Sequence, residues 1–307
     1  MINILNKYWL KITNKREYLN FKNKINKDKE LINFKNYLEK DLNEIQLKIK
    51  SRKELNFLHS GASGDLVNSL PVIKHLSRTH RCNLFVGVDK KLEKYRPNNY
   101  SPYLLPSHTF KMLFPLLKSQ KYISKIEKFA GQNIDINFDL FRKFPVSLQF
   151  DNLRYYFHVV GMQPDLSLSY IDVDEHKIIK NKIVIHRTLR YRNALINYKF
   201  LSKFDSPVFI GIMKEYEDLK KDIKNLEFYN CKDLYEMAMI IKSCRFFIGN
   251  SSIGHSIAEG IKVPRILEAC PDFPAAYPHG DDAFDFYFQN HFENQCSYFD
   301  KKYKKII

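Results

Sequence analysis

Three short segments carry the residue types that chemistry needs. The first is Gly61-Ala62-Ser63-Gly64-Asp65, which follows the apolar run Phe57-Leu58-His59 and precedes Leu66, Val67, Leu70, Ile73 and Leu76 at helical spacing. That order reads as strand, glycine-rich turn, helix, and the carboxyl ends of strands are where open α/β sheets bind ligands. Asp65 then falls in the first helical turn. There a carboxylate either caps the helix, stabilising it by about 1 kcal/mol, or stands open to the crevice as a general base for a hydroxyl. Spacing alone leaves both roles open.

The second segment runs from Phe246-Phe247-Ile248 through Gly249, Asn250, Ser251, Ser252, Ile253, Gly254 and His255 into Ser256-Ile257-Ala258-Glu259-Gly260. A strand again leads through small polar residues into a helix, whose first N–H groups have no partner within the helix and suit an anion such as a diphosphate. An ordinary Asn/Ser helix cap is the plainer reading. The third segment, His186-Arg187-Thr188-Leu189-Arg190-Tyr191-Arg192-Asn193, follows the strand-like Lys182-Ile183-Val184-Ile185. Crowding Arg187, Arg190 and Arg192 is unfavourable unless an anion is near, and arginine pairs with phosphate through two parallel hydrogen bonds. A solvated basic turn is the alternative.

Other chemistries lack their residues. There is no GxGxxG, no GxxxxGK[ST], no GxSxG and no HExxH. Asp281-Asp282 and Asp172-Val173-Asp174 lie in polar stretches and read as solvated, so no metal site is expected. The five cysteines form no CxxC pair and read as reduced thiols.

The elements that must position these segments follow the rhythm of parallel sheets. Cys82–Val88 reads as a second strand, Ile134–Leu140 as another and 151–160 as a helix, within a stretch broken by Pro97, Pro102, Pro106, Pro115, Pro145 and Pro164. Strands resume at 182–186, 207–212, 245–248 and 265–267, with helices at 233–243 and 254–260. Residues 1–53 contain no Gly or Pro and hold 14 Lys/Arg against 6 Asp/Glu. Leu31, Phe34, Leu38, Leu42 and Ile45 recur there at helical spacing. That helix either lies on the first domain or anchors the protein on an anionic membrane or partner helix. The resulting division is a basic helical extension over 1–54, a first Rossmann-like domain over 55–170 and a second over 171–307.

The net charge of +16 rests on lysine alongside abundant Asn, Ile, Tyr and Phe, residues with AT-rich codons, so no nucleic-acid partner is expected. With 44% hydrophobic residues the chain suffices for packed cores. No stretch approaches the ~20 apolar residues of a membrane span, and no secretory signal opens the chain. The expected compartment is the cytoplasm.

Taken together, GASGDLVNSLPVIKHL and FFIGNSSIGHSIAEGIKVPRILE resemble the two signature regions of the ADP-heptose:lipopolysaccharide heptosyltransferase family. Gly64-Asp65 and Leu70-Pro71 match the first region; Ser251, His255, Ala258 and Val263-Pro264 match the second. The resemblance implies a GT-B-like α/β fold, two Rossmann-like domains facing across a cleft, here with an N-terminal helical extension. It implies inverting, metal-independent transfer of a sugar from a nucleotide diphosphate donor to a hydroxyl of a glycan or lipid-linked acceptor, with no cofactor, in cell-surface glycan or lipopolysaccharide synthesis. It places Asp65 on the catalytic base and Gly61, Ser63 and Gly64 in the acceptor loop. Arg187, Thr188, Arg190, Arg192, Asn250, Ser251, Ser252 and His255 fall on the donor site. Location would be cytoplasmic, at or near the inner membrane face. Asn250 stands where the family has aspartate and Ser252 where it has glycine. A non-catalytic nucleotide- or glycan-binding module is the competing class, and a phosphorylase or epimerase the competing enzyme.

Overall fold

β1 (Glu54–His59) buries alternate residues and β2 (Arg81–Val86) buries all but the first, as strands of a covered parallel sheet should. The computed structural model describes residues 4–91, 101–144 and 150–304. With β3 (Lys125–Lys128) and β4 (Ile136–Asn137) these strands form a parallel sheet of order β3-β2-β1-β4. A second parallel sheet contains β5 (Ile183–His186), β6 (Val208–Ile210), β7 (Glu227–Tyr229), β8 (Phe246–Asn250), β9 (Arg265–Glu268) and β10 (Ala283–Phe286). Its order is β10-β9-β8-β5-β6-β7. In each sheet the chain builds outward from the first strand, then returns to add strands on its other side. The reversal falls between β1 and β4 in one sheet and between β5 and β8 in the other, and such switch points open a crevice at the strand ends. The expected doubly wound architecture is therefore present twice.

Helices cover the sheets: α4 (Ser63–Leu76), α5 (Ser107–Lys118), α6 (Arg154–Val160), α7 (Met213–Lys220), α8 (Leu234–Lys242), α9 (Ile253–Ile261) and α10 (Gln289–Tyr303). Between the sheets α4 packs on α9 and α5 on α8. One apolar cluster runs through this layer, from Leu66 and Ile73 of α4 and Leu113 of α5 to Ile240, Ile257 and the sheet residue Val184. The neighbours of Val184 on its strand, Ile183 and Ile185, face the other way and pack in a second cluster with Phe292 and Phe299 of α10.

Two expectations change. The strand expected over Ile134–Leu140 is only Ile136–Asn137, because the Asn137 side chain accepts the Asp139 N–H at 3.0 Å and turns the chain into a 3-10 helix, Phe138–Lys143. The proline-broken stretch hides α5, which starts after Pro106 and carries Pro115 near its end while burying Phe110, Leu113, Leu116 and Leu117. Pro97 and Pro145 lie outside the described residues.

The extension is helical, as its composition suggested, but in pieces: α1 (Ile4–Thr13), α2 (Lys15–Asn33) and α3 (Glu39–Ser51), the last two joined by a π-helical turn at Phe34–Leu38. That turn breaks the apolar stripe: Leu38 and Ile45 are buried while Leu31 is 54% exposed. Only α3 is docked. Gln46 donates to the Val160 carbonyl at the end of α6, and His80 Nε2 lies 2.9 Å from the Ile49 carbonyl. Gly161 ends α6 with φ +63°, and a Cβ there would meet the Gln46 amide at 2.7 Å, so both backbone and space require glycine. Ile45→Ala should lower unfolding stability by about 2–4 kcal/mol in chemical denaturation, whereas exposed Leu47→Ala should change it by less than ~0.5 kcal/mol.

Candidate functional site

At the first switch point β1 ends in His59, which is fully buried. Its Nδ1 accepts the Gly61 N–H at 2.8 Å, so the ring proton sits on Nε2 and points to the Tyr156 hydroxyl at 3.0 Å. Burial lowers the His59 pKa to about 4, so the ring is neutral near pH 7. A Cβ on Gly61 would lie 2.4 Å from the His59 ring and 2.7 Å from Asp65 Cβ. The loop can close over β1 only with glycine at that position. Asp65 Oδ2 accepts the Ala62 N–H at 3.1 Å, which makes it a helix cap, yet its side chain is 38% exposed. The two roles weighed for Asp65 are therefore compatible, since one oxygen caps while the carboxylate still faces solvent.

The 3-10 helix after β4 brings Arg142 to this carboxylate and Asp139 to Arg142, two residues that the sequence did not single out. Arg142 Nη2 lies 3.9 Å from Asp65 Oδ2, and Arg142 Nη1 donates to Asp139 Oδ1 at 2.5 Å. Asp139 also accepts the Ser60 N–H at 2.9 Å and pairs with Lys90 Nζ at 3.3 Å. Burial alone would raise the Asp139 carboxyl; the neighbouring His59 and Arg142 charges and the Ser60 hydrogen bonds outweigh it and lower it to about 2. Asp139 and Arg142 are 74 and 77 positions beyond Asp65, and only the β1–β4 pairing brings them there.

At the second switch point the Asn250 amide is fully buried and fully used. Its Oδ1 accepts the Thr188 N–H at 3.0 Å and the Thr188 hydroxyl at 3.3 Å, and its Nδ2 donates to the carbonyls of Thr188, at 3.0 Å, and Arg190, at 2.6 Å. An aspartate could not donate to those carbonyls. The asparagine thus orders this loop through the four hydrogen bonds of its amide. Ser252 Oγ donates to the Asn250 carbonyl at 2.9 Å and accepts from His186 Nδ1 at 3.0 Å. Burial lowers the His186 pKa to about 4.

The three arginines separate. Arg187 is buried against Glu268, with Nε–Oε2 at 2.6 Å and Nη2–Oε1 at 2.8 Å, and stacks over Tyr198. Tyr198 and the Asn193 N–H also donate to Glu268. Arg192 pairs with Asp218 at 2.5 Å and donates to the Thr188 carbonyl at 2.8 Å. Arg187 and Arg192 are therefore each paired with an internal carboxylate, Glu268 and Asp218. Arg190, half-buried beside Thr188, lies over the Tyr191 ring at 5.5 Å.

α9 begins at Ile253, directly after Ser251 and Ser252, which are half-buried. His255, in its first turn, is buried, its Nδ1 has no hydrogen-bond partner, and desolvation lowers its pKa to about 4. Gly64 meets this helix: a Cβ on Gly64 would stand 3.4 Å from Ser256 Oγ. The N-termini of α4 and α9 therefore converge, carrying Asp65 from one sheet and the Ser251–His255 turn from the other.

A cleft of about 360 Å³ is lined by Phe150, Asp151, Arg154, Tyr277 and His279, none of which the sequence singled out. His279 Nε2 and Asp151 Oδ2, from opposite halves, are 2.8 Å apart. The His279 segment is pinned to α9 by its N–H to Glu259 at 3.3 Å and by Lys262 Nζ on its carbonyl at 3.1 Å. No group of three His, Cys, Asp or Glu that could hold a metal occurs among the described residues.

No family model and no curated protein matches the chain. Solved structures do. It is similar to a glycosyl transferase family 9 protein from Veillonella parvula (TM-score 0.54, 13% identity, 83% of this chain and 90% of that one). It is also similar to E. coli ADP-heptose lps heptosyltransferase II (0.55, 13%, 82% and 99%) and to E. coli heptosyltransferase WaaC with ADP (0.54, 9%, 80% and 99%). At these identities the likeness establishes the GT-B-like fold.

Asn250→Asp should cost about 3 kcal/mol in denaturant unfolding by turning a carboxylate toward two carbonyls, while Ser251→Ala should cost less than ~0.5 kcal/mol. His59, His186 and His255 have folded pKa values near 4 against 6.5 unfolded, so their contribution to stability is complete above pH 6.5 and is lost as pH falls toward 4. Denaturation midpoints measured across that window should decline steadily on acidification, and a flat profile would contradict the assignment.

Proposed function

We propose that this protein is a glycosyltransferase that moves a sugar from a nucleotide diphosphate donor to a hydroxyl of a glycan or lipid-linked acceptor, with inversion and without a metal. One observation carries the reading: the open carboxylate of Asp65 and the N-terminus of α9 meet where Gly64 packs on Ser256. A base and an anion cradle on opposite sides of one crevice are what a direct displacement at a sugar carbon needs. Solved structures of the same fold add support, since one is an ADP-heptose heptosyltransferase and another contains ADP.

In this mechanism Asp65 takes the proton of the acceptor hydroxyl as its oxygen bonds to the anomeric carbon. The bond from that carbon to the diphosphate breaks on the opposite face, and the leaving diphosphate keeps the electron pair. The first N–H groups of α9, Ser251 and Arg190 receive its charge, with the neutral His255 ring donating an N–H. Ser252 fixes the turn through His186 and Asn250. Arg142 Nη2, 3.9 Å from Asp65 Oδ2, stands on the same wall of the crevice. Gly61, Ser63 and Gly64 form the wall of the acceptor loop, and the cleft lined by Arg154 and Tyr277 gives the acceptor room.

Asp65→Ala should lower transfer by about 10²–10⁴-fold while donor affinity stays within a few fold, read by product formation and calorimetry over a panel of nucleotide sugars. Wild-type binding of a nucleotide sugar with no product would instead identify a non-catalytic binding module. Arg190→Ala should weaken donor binding by roughly tenfold or more, as for loss of a charge-assisted hydrogen bond, with acceptor KM unchanged. Chelation with EDTA should leave the rate unchanged; a rate restored only by added magnesium or calcium would overturn the metal-free step.

A further inference from the structure

We propose that α1 and the start of α2 form an arm that docks on an anionic lipid surface, an inference that does not depend on the transfer reaction. Tyr8, Trp9 and Ile12 are 60%, 63% and 85% exposed. Successive helical steps of 100° put all three within one arc of about 100° on α1. Leu10, on the other side, is half-buried, and α1 lies against α2. α2 itself buries no residue, so the arm is not part of the core to which α3 is fixed.

The charges around that face have one sign. Lys7 and Lys11 border it, Lys15 and Arg16 follow at the bend, and no acidic side chain precedes Glu17. Residues 4–33 hold eight Lys/Arg and three Asp/Glu. An apolar face with aromatic rings and a cationic rim matches the boundary of a bilayer containing acidic headgroups, where rings sit at the headgroup level and lysines reach outward to phosphate. Nucleic acid would use the cations but give Ile12 no contact it prefers to water. A second copy would bring two cationic arms together, which repel. No helix among the described residues is long and apolar enough to cross a membrane, so the contact is interfacial.

Trp9 is the sole tryptophan of the chain, so intrinsic emission reports on this arm. Full-length protein should show a blue-shifted Trp9 emission and co-sediment with phosphatidylcholine vesicles containing phosphatidylglycerol, and do neither with pure phosphatidylcholine. The shift should shrink as salt screens the rim. Lys11→Gln with Lys15→Gln should lower vesicle partitioning by roughly 30-fold. Ile12→Glu should abolish it with an unchanged thermal midpoint, since the side chain is exposed. Unchanged emission at saturating anionic vesicles, or an equal shift with neutral ones, would overturn the proposal. So would a lipid-free blue shift that grows with protein concentration, which would make the face a self-association surface.

Discussion

The packing of α4 on α9 is the constraint on which the rest of this structure depends. Each helix starts at the switch point of its own sheet, so pressing their N-terminal ends together places two crevices face to face. The contact is close because Gly64 has no side chain opposite Ser256, and it is held by an apolar cluster that runs without a break from one sheet to the other. Leu66, Ile73, Ile257 and Ala258 all belong to that cluster. The halves are therefore joined by a shared core, and the geometry of the crevice follows from hydrophobic burial more than from any polar contact across it.

Polar groups then shape the crevice from within. Removing charges from water is unfavourable unless each finds its partners, and the buried charges here do. Arg187 and Glu268 satisfy each other, and Tyr198 and the Asn193 N–H occupy the remaining acceptor capacity of the carboxylate. Burial alone would depress the Arg187 pKa, but the hydrogen bonds to Glu268 outweigh it and keep the guanidinium charged. Arg265, completely buried, is likewise held by Glu259 at 2.6 Å and by the Val263 carbonyl at 3.0 Å. These pairs fix the strand ends and the His279 segment. Unlike the carboxylates of these pairs, His255 Nδ1 is buried without a hydrogen-bond partner.

Much of the local structure around the candidate site is legible in the sequence. The strand–turn–helix units around Asp65 and Asn250 were visible because glycines, small polar residues and a change of hydrophobic period are all local signals. The loop after β5 was harder. Arg187, Arg190 and Arg192 look equivalent in the chain, and their difference arises from Glu268 and Asp218, which arrive from 81 and 26 positions away. Asn250 stood out as a departure from the family's aspartate, and its partners show that it orders the backbone of the neighbouring strand end.

By itself the sequence determined the parallel α/β class, the two turns and the helical extension, since these follow from periodicity and turn chemistry within a few residues of chain. Tertiary structure alone decided that Arg142 stands beside Asp65 and pairs with Asp139, that Arg187 and Arg192 are paired with Glu268 and Asp218, and that α3 is docked while Trp9 and Ile12 face water. The physical reason is range. Charge pairing and burial depend on which distant strands become neighbours, and strand order is set by the packing of whole helices and sheets, which no local spacing encodes.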